Sequence, residues 1–263
     1  MPKKDLSKCT FLIPLRIETD DRMRNITTTI AYLLSNFNTK IIIKEYDFHS
    51  VFQESVIPML ECGLDENELK NITHIFEKTE EYIFHRTRLI NDMILQSTTP
   101  VVVNYDSDII LPVETYSLAV ELITSGKYKC VYPYGYGDWQ YQVTTNDSEV
   151  TDFINSENDF SIFKNVNKWD AKYGFCQFFD KNEYIRLGME NENFISYGYE
   201  DDERYYRFSK LSTLGRIDNY VYHLEHKRTS NSCFTNPYIE NNKNLWEKIQ
   251  KFSDNELLQY YTK

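Results

Sequence analysis

Pro100-Val101-Val102-Val103-Asn104-Tyr105-Asp106-Ser107-Asp108 joins an unbroken β-branched run to two carboxylates. The run predicts a central strand over 100–105, covered on both faces, because such a strand has no solvent side on which polar residues could alternate. Asp106 and Asp108 lie two residues apart, on one side of an ideal strand and closer still in a turn. They stand beyond the carboxyl end of the strand, where open α/β sheets place ligands. Hard carboxylate oxygens there suit Mg2+ or Mn2+, and a cation so held neutralises the phosphates of a nucleoside diphosphate. A polar turn without chemistry gives the same two-aspartate pattern.

Upstream, Cys9–Leu15 predicts a buried strand. Ile26, Ile30, Leu33, Leu34 and Phe37 give a helix over Asn25–Phe37, and Lys40–Tyr46 a second strand. This strand-helix-strand unit implies a right-handed crossover into a parallel sheet. After a polar, irregular stretch over 49–71, with a short helix at Asp65–Leu69, a strand is expected at Thr73–Phe76 and a helix over Glu80–Gln96. Downstream, Pro112 opens a helix through Ile123 and Lys129–Tyr132 is a strand. The aromatic stretch with Tyr134, Tyr136, Trp139 and Tyr141 reads as an inserted loop or antiparallel excursion over a cleft. A strand at Phe175–Phe179, helices at Lys181–Leu187 and from Glu200, strand within Leu214–Leu224 and a helical tail from Tyr238 complete the chain. The pattern predicts one α/β domain with a mostly parallel central sheet flanked by helices.

The 263 residues carry a net charge of -11, which disfavours a nonspecific nucleic-acid binder. An acidic chain with a phosphate ligand implies a bridging metal. The 21 tyrosines and 16 phenylalanines suit a cleft that stacks on sugar rings, and equally suit an aromatic core. Five scattered cysteines indicate neither a disulfide framework nor a zinc cluster. With no secretory signal and no long apolar stretch, the expected location is the cytosol, with any membrane contact made through the acceptor or a larger system.

Two further clusters carry chemistry. Glu200-Asp201-Asp202-Glu203 follows Tyr197-Gly198-Tyr199, and four adjacent acids raise the proton affinity of at least one, as a general base requires. They equally suit a first helical turn. His223 and His226 follow an apolar run and could add nitrogen ligands to the aspartates, favouring Mn2+. Arg16, Arg86 and Arg88 are candidate anion contacts; Arg86 and Arg88 point to different sides of an ideal helix.

In this order the motifs resemble the GT-A glycosyltransferases, within them the β-1,4-galactosyltransferase-like group and the related chondroitin-polymerase-type and bacterial family 2 enzymes. Ile13-Pro14-Leu15-Arg16 looks like the family's Pro-Phe-Arg segment, and Phe84–Asn91 like its Phe-Asn-Arg-Ala-Lys-Leu-Leu-Asn helix. Val103–Pro112 looks like its Asp-x-Asp strand, Tyr173–Lys181 like its Gly-Gly-Val segment, and Tyr197–Glu203 like its Trp-Gly-Gly-Glu-Asp-Asp-Asp. Phe175 and Tyr199 stand where the family has glycine. Tyr222-His223-Leu224-Glu225-His226 resembles the histidine-containing end of the domain.

The resemblance implies a single GT-A, Rossmann-like domain over 1–263. Its nucleotide-sugar half would span 1–132, its acceptor and catalytic half 133–235, and its helical tail 236–263. It implies donor contacts by Pro14, Arg16, Arg86, Asp106, Asp108 and Tyr197. Acceptor contacts fall to Glu200, Asp201, Tyr199 and Gly174, with Asp201 as base and Glu200 beside it. Mn2+ (or Mg2+) would sit on Asp108 as the firmer direct ligand, with Asp106 near the ribose or the cation, and on His223, His226 being the second histidine choice. The implied activity is inverting transfer of a hexose or N-acetylhexosamine from a UDP-sugar to a glycan hydroxyl. Two alternatives remain: an inactive glycan- or nucleotide-sugar-binding domain, and a metal-dependent nucleotidyltransferase, against which the lack of a Gly-rich phosphate loop with its lysine weighs.

Overall fold

The computed structural model describes residues 2–262. In chain order its elements are β1 (Lys4–Leu15), α1 (Asp20–Asn36), β2 (Phe37–Asp47), α2 (Ile57–Glu61), α3 (Glu66–Leu69), β3 (Ile72–Lys78), α4 (Arg86–Gln96) and β4 (Val101–Tyr105). There follow β5 (Ile109–Ile110), α5 (Val113–Thr124), β6 (Cys130–Tyr132), β7 (Gln140–Thr144), α6 (Asp147–Asn155), β8 (Asn165–Lys168) and β9 (Cys176–Asp180). Last come α7 (Lys181–Arg186), α8 (Glu200–Leu211), β10 (Leu214–Arg216), β11 (Val221–Leu224), α9 (Ile239–Ile249) and α10 (Asp254–Tyr261).

Seven strands form the main sheet in the order β10-β6-β9-β4-β1-β2-β3. Every residue of β4 is buried, as its unbroken apolar run requires. It lies parallel to β1, with Phe11 opposite Val103, and β1 to β3 are mutually parallel. The exception to the parallel pattern is β9, antiparallel to both β4 and β6. It brings Cys176 opposite Tyr105, so the segment entering β9 arrives at the edge that β4 leaves. Helix α4 packs on β1 and β2, and α5 on β1 and β9.

A second, four-stranded sheet runs β5-β11-β7-β8. Its β7 and β8 are the antiparallel excursion expected beyond residue 133, and α6, which the polar composition of that stretch concealed, lies between them. One buried cluster spans both sheets, from Phe11 and Val102 to Val143 and Val221.

Several elements differ from expectation. Helix α4 begins at Arg86 rather than Glu80, because the preceding backbone is committed elsewhere: Glu81 O and Tyr82 O accept from Arg16, and Phe84 N donates to Asn231 Oδ1. The stretch over 49–71 is helical in part, with a π turn at Phe52–Val56 leading into α2; Phe52 and Val56 bury its inner side. Part of the tyrosine content belongs to the core. Tyr32, Tyr105, Tyr116, Tyr132, Tyr134 and Tyr184 are fully buried; Tyr105 Oη meets Tyr116 Oη at 2.6 Å, and each also bonds the backbone, to Ile109 O and from Leu111 N, so both hydroxyls are satisfied.

Candidate active site

At the carboxyl ends of β1 and β4 lies a polar cleft lined by Pro14, Arg16, Arg86, Asp106, Asp108, Tyr197, Glu200, Asp201, His223 and His226, among others. A second hollow adjoins it and shares Asp106, Tyr197, Glu200, Asp201 and His223 with it; Gly174 and Tyr199 line this second hollow. The twelve residues to which the resemblance assigns a donor, acceptor, base or metal role all line one of these two adjoining hollows, whereas Arg88, the other arginine candidate, does not.

Backbone pairing explains how Asp108 meets histidines far along the chain. The short strand β5 follows Asp108 directly and pairs antiparallel with β11, with His223 opposite Ile109, while Leu224 N donates to Asp108 O at 2.7 Å. The turn after β11 is fixed by α1, where Asn25 Nδ2 donates to Leu224 O at 2.8 Å and Asp21 accepts from Lys227 N at 2.6 Å. His223 Nε2 then lies 3.6 Å from Asp108 Oδ1, and His226 Nε2 lies 3.2 Å from Asp108 Oδ2. Ligand atoms of Asp108, His223 and His226 all fall within 4.8 Å of one another.

This donor set fits a divalent cation. Burial pushes His223 down to about 4, leaving a neutral imidazole with a free lone pair. His226 Nδ1 is 3.0 Å from Lys227 O, so a neutral ring donates there and presents the bare Nε2 to the Asp108 carboxylate. Two acceptors at that distance attract only if a proton or a metal ion lies between them. Without metal the proton serves: burial would lower His226, but the Asp108 contact outweighs it and raises the histidine. Burial likewise acts to raise Asp108, and the two histidines override it and hold the carboxyl well below its usual range.

Asp106 stands outside this cluster. Its Oδ1 accepts from Arg86 Nη2 at 2.6 Å, and the same nitrogen reaches Asn104 Oδ1 at 3.2 Å. Arg86 Nη1 is buried with no hydrogen-bond partner among the described residues, an unmet donor on a side chain that lines the cleft. Arg16 lies on the same wall, but its guanidinium is consumed by carbonyls of Tyr46, Glu81 and Tyr82. It shapes the wall and has little left to offer a phosphate. Arg88 points away and pairs with Glu77 at 2.7 Å.

The acidic run begins α8. Glu200 is buried, its Oε2 accepts from Gly198 N at 2.7 Å, and burial together with the neighbouring Asp201 charge pushes it up to about 8. Asp201 Oδ1 accepts from Arg204 Nη1 at 2.8 Å. Glu203 turns to the core and pairs with Arg207. Phe175 and Tyr199, which stand where glycine was expected from the resemblance, hold left-handed backbones at φ 68° and 71°. Lys172 and Ser196 do so as well, at 55° and 62°. Each costs about 1 kcal/mol, and strain of this kind gathers at binding sites.

Sequence reasoning missed Arg22, Arg228 and Asn231, all on the cleft wall. Arg22, in the first turn of the helix after β1, was placed at the sheet's ligand edge by topology alone. Asn231 clips the cleft together, accepting from Phe84 N and Ser196 Oγ and donating to Tyr82 O.

No protein-family model and no curated protein matches this chain. Solved structures do share its fold. One is the mannosyltransferase PcManGT from Pyrobaculum calidifontis in complex with GDP-Man and Mn2+, at TM-score 0.51 and 13% identity, covering 83% of this chain and 56% of that one. Another is S. aureus TarS 1-349, at TM-score 0.52 and 11% identity, covering 82% and 60%. The chain shares with them a mixed α/β domain, a central multi-stranded sheet flanked by helices, consistent with the general fold of nucleotide-sugar transferases. It spans less than two thirds of the length of either structure. Among the described residues no helix is long and apolar enough to cross a membrane.

Proposed function

We propose that this chain is a metal-dependent glycosyltransferase that moves a sugar from a nucleoside diphosphate to a glycan hydroxyl. The observation that carries this reading is the convergence of Asp108, His223 and His226 within 4.8 Å, in a fold shared with a mannosyltransferase that holds GDP-Man and Mn2+. Asp108, His223 and His226 would hold the cation, Mn2+ by preference for its nitrogen ligands and Mg2+ as second choice. When bound, that cation neutralises charge on the diphosphate as it departs.

The remaining tasks fall to side chains of the chain itself. Arg86, with one unpartnered nitrogen, binds the diphosphate and is oriented by Asp106. Pro14 and Arg16 form the nucleotide wall. Tyr197 gives the sugar a platform between the two hollows. Glu200, Tyr199 and Gly174 bound the acceptor hollow, in which Asp201 takes the proton of the incoming hydroxyl. A single displacement with Asp201 on the acceptor side inverts the anomeric carbon. The donor is a UDP-hexose or UDP-N-acetylhexosamine, with GDP-mannose the competing choice. Work on a cytosolic donor, with the acceptor carrying any membrane attachment, accords with these substrates.

The test is release of nucleoside diphosphate from a panel of UDP-sugars and GDP-mannose with Mn2+, with Mg2+ and with EDTA. One donor turning over only with metal is expected, and Asp201→Asn should suppress that turnover while keeping donor affinity. Metal-independent sugar binding with no release from any donor would refute catalysis and favour a binding domain.

A further inference from the structure

Behind the acidic start of α8 lies a charge assembly that the reaction itself does not call for. Arg204 is wholly buried. Its Nε and Nη2 donate to Glu190 Oε1 and Oε2 at 2.6 and 2.9 Å, and its Nη1 donates to Gln177 Oε1 and Asp201 Oδ1, both at 2.8 Å. Tyr184 Oη also donates to Glu190. A buried guanidinium is tolerated only when its charge and donors are met, and an apolar side chain would fill the same space at less risk. Glu190 alone balances the charge through a two-pronged contact. Arg204 therefore needs nothing from Asp201 for its own neutrality, yet Nη1 is turned to it, and Asp201 is the one carboxylate of this assembly with an open side.

The contact selects one orientation of the Asp201 carboxylate. Oδ1 is tied to Arg204, and Oδ2 lies over Gly174, where an added Cβ would come within 3.3 Å of it. Gly174 does not hold a left-handed backbone, so its lack of a side chain serves space rather than conformation.

We propose that Arg204 is a positioning residue that presents Asp201 Oδ2 to the acceptor, with Gly174 keeping the approach to that atom open. This rests on the assignment of Asp201 as the base. The acceptor O–H bond breaks with its proton passing to Oδ2, the acceptor oxygen bonds to the anomeric carbon, and the diphosphate leaves with the electron pair of the broken glycosidic bond.

The experiment uses Arg204→Met paired with Glu190→Gln, which leaves no buried ion alone, made both in the native chain and in Asp201→Asn. Turnover is measured with Mn2+ and the most active donor of the panel above, and donor affinity by calorimetry. The paired variant should lose about 100-fold in kcat with donor KM and Kd within about twofold, the signature of a misplaced base. It should lose nothing more once Asp201 is asparagine, since its effect passes through that carboxylate. Gly174→Ala should lose about tenfold in kcat at unchanged donor KM.

An equal loss in both backgrounds, or donor affinity falling in step with kcat, means a structural role and overturns the inference. Full activity of the paired variant beside a crippled Asp201→Asn also overturns it, leaving the proposed function intact. Full activity of Asp201→Asn removes the base assignment and the inference with it. If the paired variant does not fold, Arg204→Lys, which keeps the charge but cannot span three acceptors, is read by the same criteria.

Discussion

Replacing Glu200 by glutamine should make the metal-free protein more stable at alkaline pH and change it least near pH 5. The folded chain holds the Glu200 proton up to about 8 against an ordinary 4.5, so the native state binds that proton more tightly than the unfolded chain does. Its contribution is present in full below pH 4.5, drains as pH rises through the window to 8, and is gone above it. Before solvent screening the difference is about 5 kcal/mol, at ~1.4 kcal/mol for each pH unit of separation. Part of the push comes from Asp201, whose side chain is 31% exposed and screened by water, so we take about 2–3 kcal/mol. Glutamine keeps a carbonyl to accept from Gly198 N and never carries the buried charge. Urea unfolding of both proteins in EDTA at pH 5, 6, 7, 8 and 9 tests this, because titrating groups remote from Glu200 cancel in the difference. Curves that stay parallel within about 0.5 kcal/mol across that range would refute the assignment of a buried, proton-holding Glu200.

His226→Ala should weaken Mn2+ binding at least about tenfold by calorimetry, since the loss of outer partners alone reaches that size; unchanged affinity would strike His226 from the ligand set. Arg86→Lys should weaken UDP or GDP binding about tenfold, because a lysine cannot hold Asp106 and Asn104 while offering a second nitrogen to a phosphate, and equal Kd values would count against that contact. Arg16→Ala should lower folding stability by about 2–4 kcal/mol as three carbonyls lose their donor. Unchanged thermal unfolding with a loss confined to nucleotide affinity would show instead that Arg16 acts on the ligand.

What could be read from the residues followed how local its cause was. Val101–Val103 announce β4 because burial on both faces leaves no room for alternation, and Pro112 marks the start of α5 by a missing N–H. The direction of β9 is not written in Cys176–Asp180, whose apolar run looks like any other buried strand. The late start of α4 depends on Arg16 and Asn231, remote partners that capture its leading backbone. The metal candidates were visible as residue types and the resemblance already ranked Asp108 above Asp106, but the physical arrangement, pairing between β5 and β11 and the hold of Arg86 on Asp106, is not legible in the residues. Arg16 was singled out for a phosphate and Arg22 overlooked because a sequence shows that an arginine is present and not how many carbonyls surround it. Of the 21 tyrosines, which composition alone could assign to a cleft or to a core, seven are buried.

The reversed strand β9 also divides the molecule's capacity for change. Segments that leave β1 and β4 supply one wall of the cleft, and the segment that enters β9, with Lys172 to Phe175, supplies the opposite wall at the same edge. Within 133–175 the freedom lies at the exposed stretch 167–170, because β7 is paired along β11 and Val143, Phe153 and Phe163 belong to the shared core. Such an architecture lets the outer edge of one wall be rewritten for new partners while the other wall is inherited unchanged, and it makes that edge, with Trp169 and Asp170, rather than the paired strand β7, the natural place for grafting.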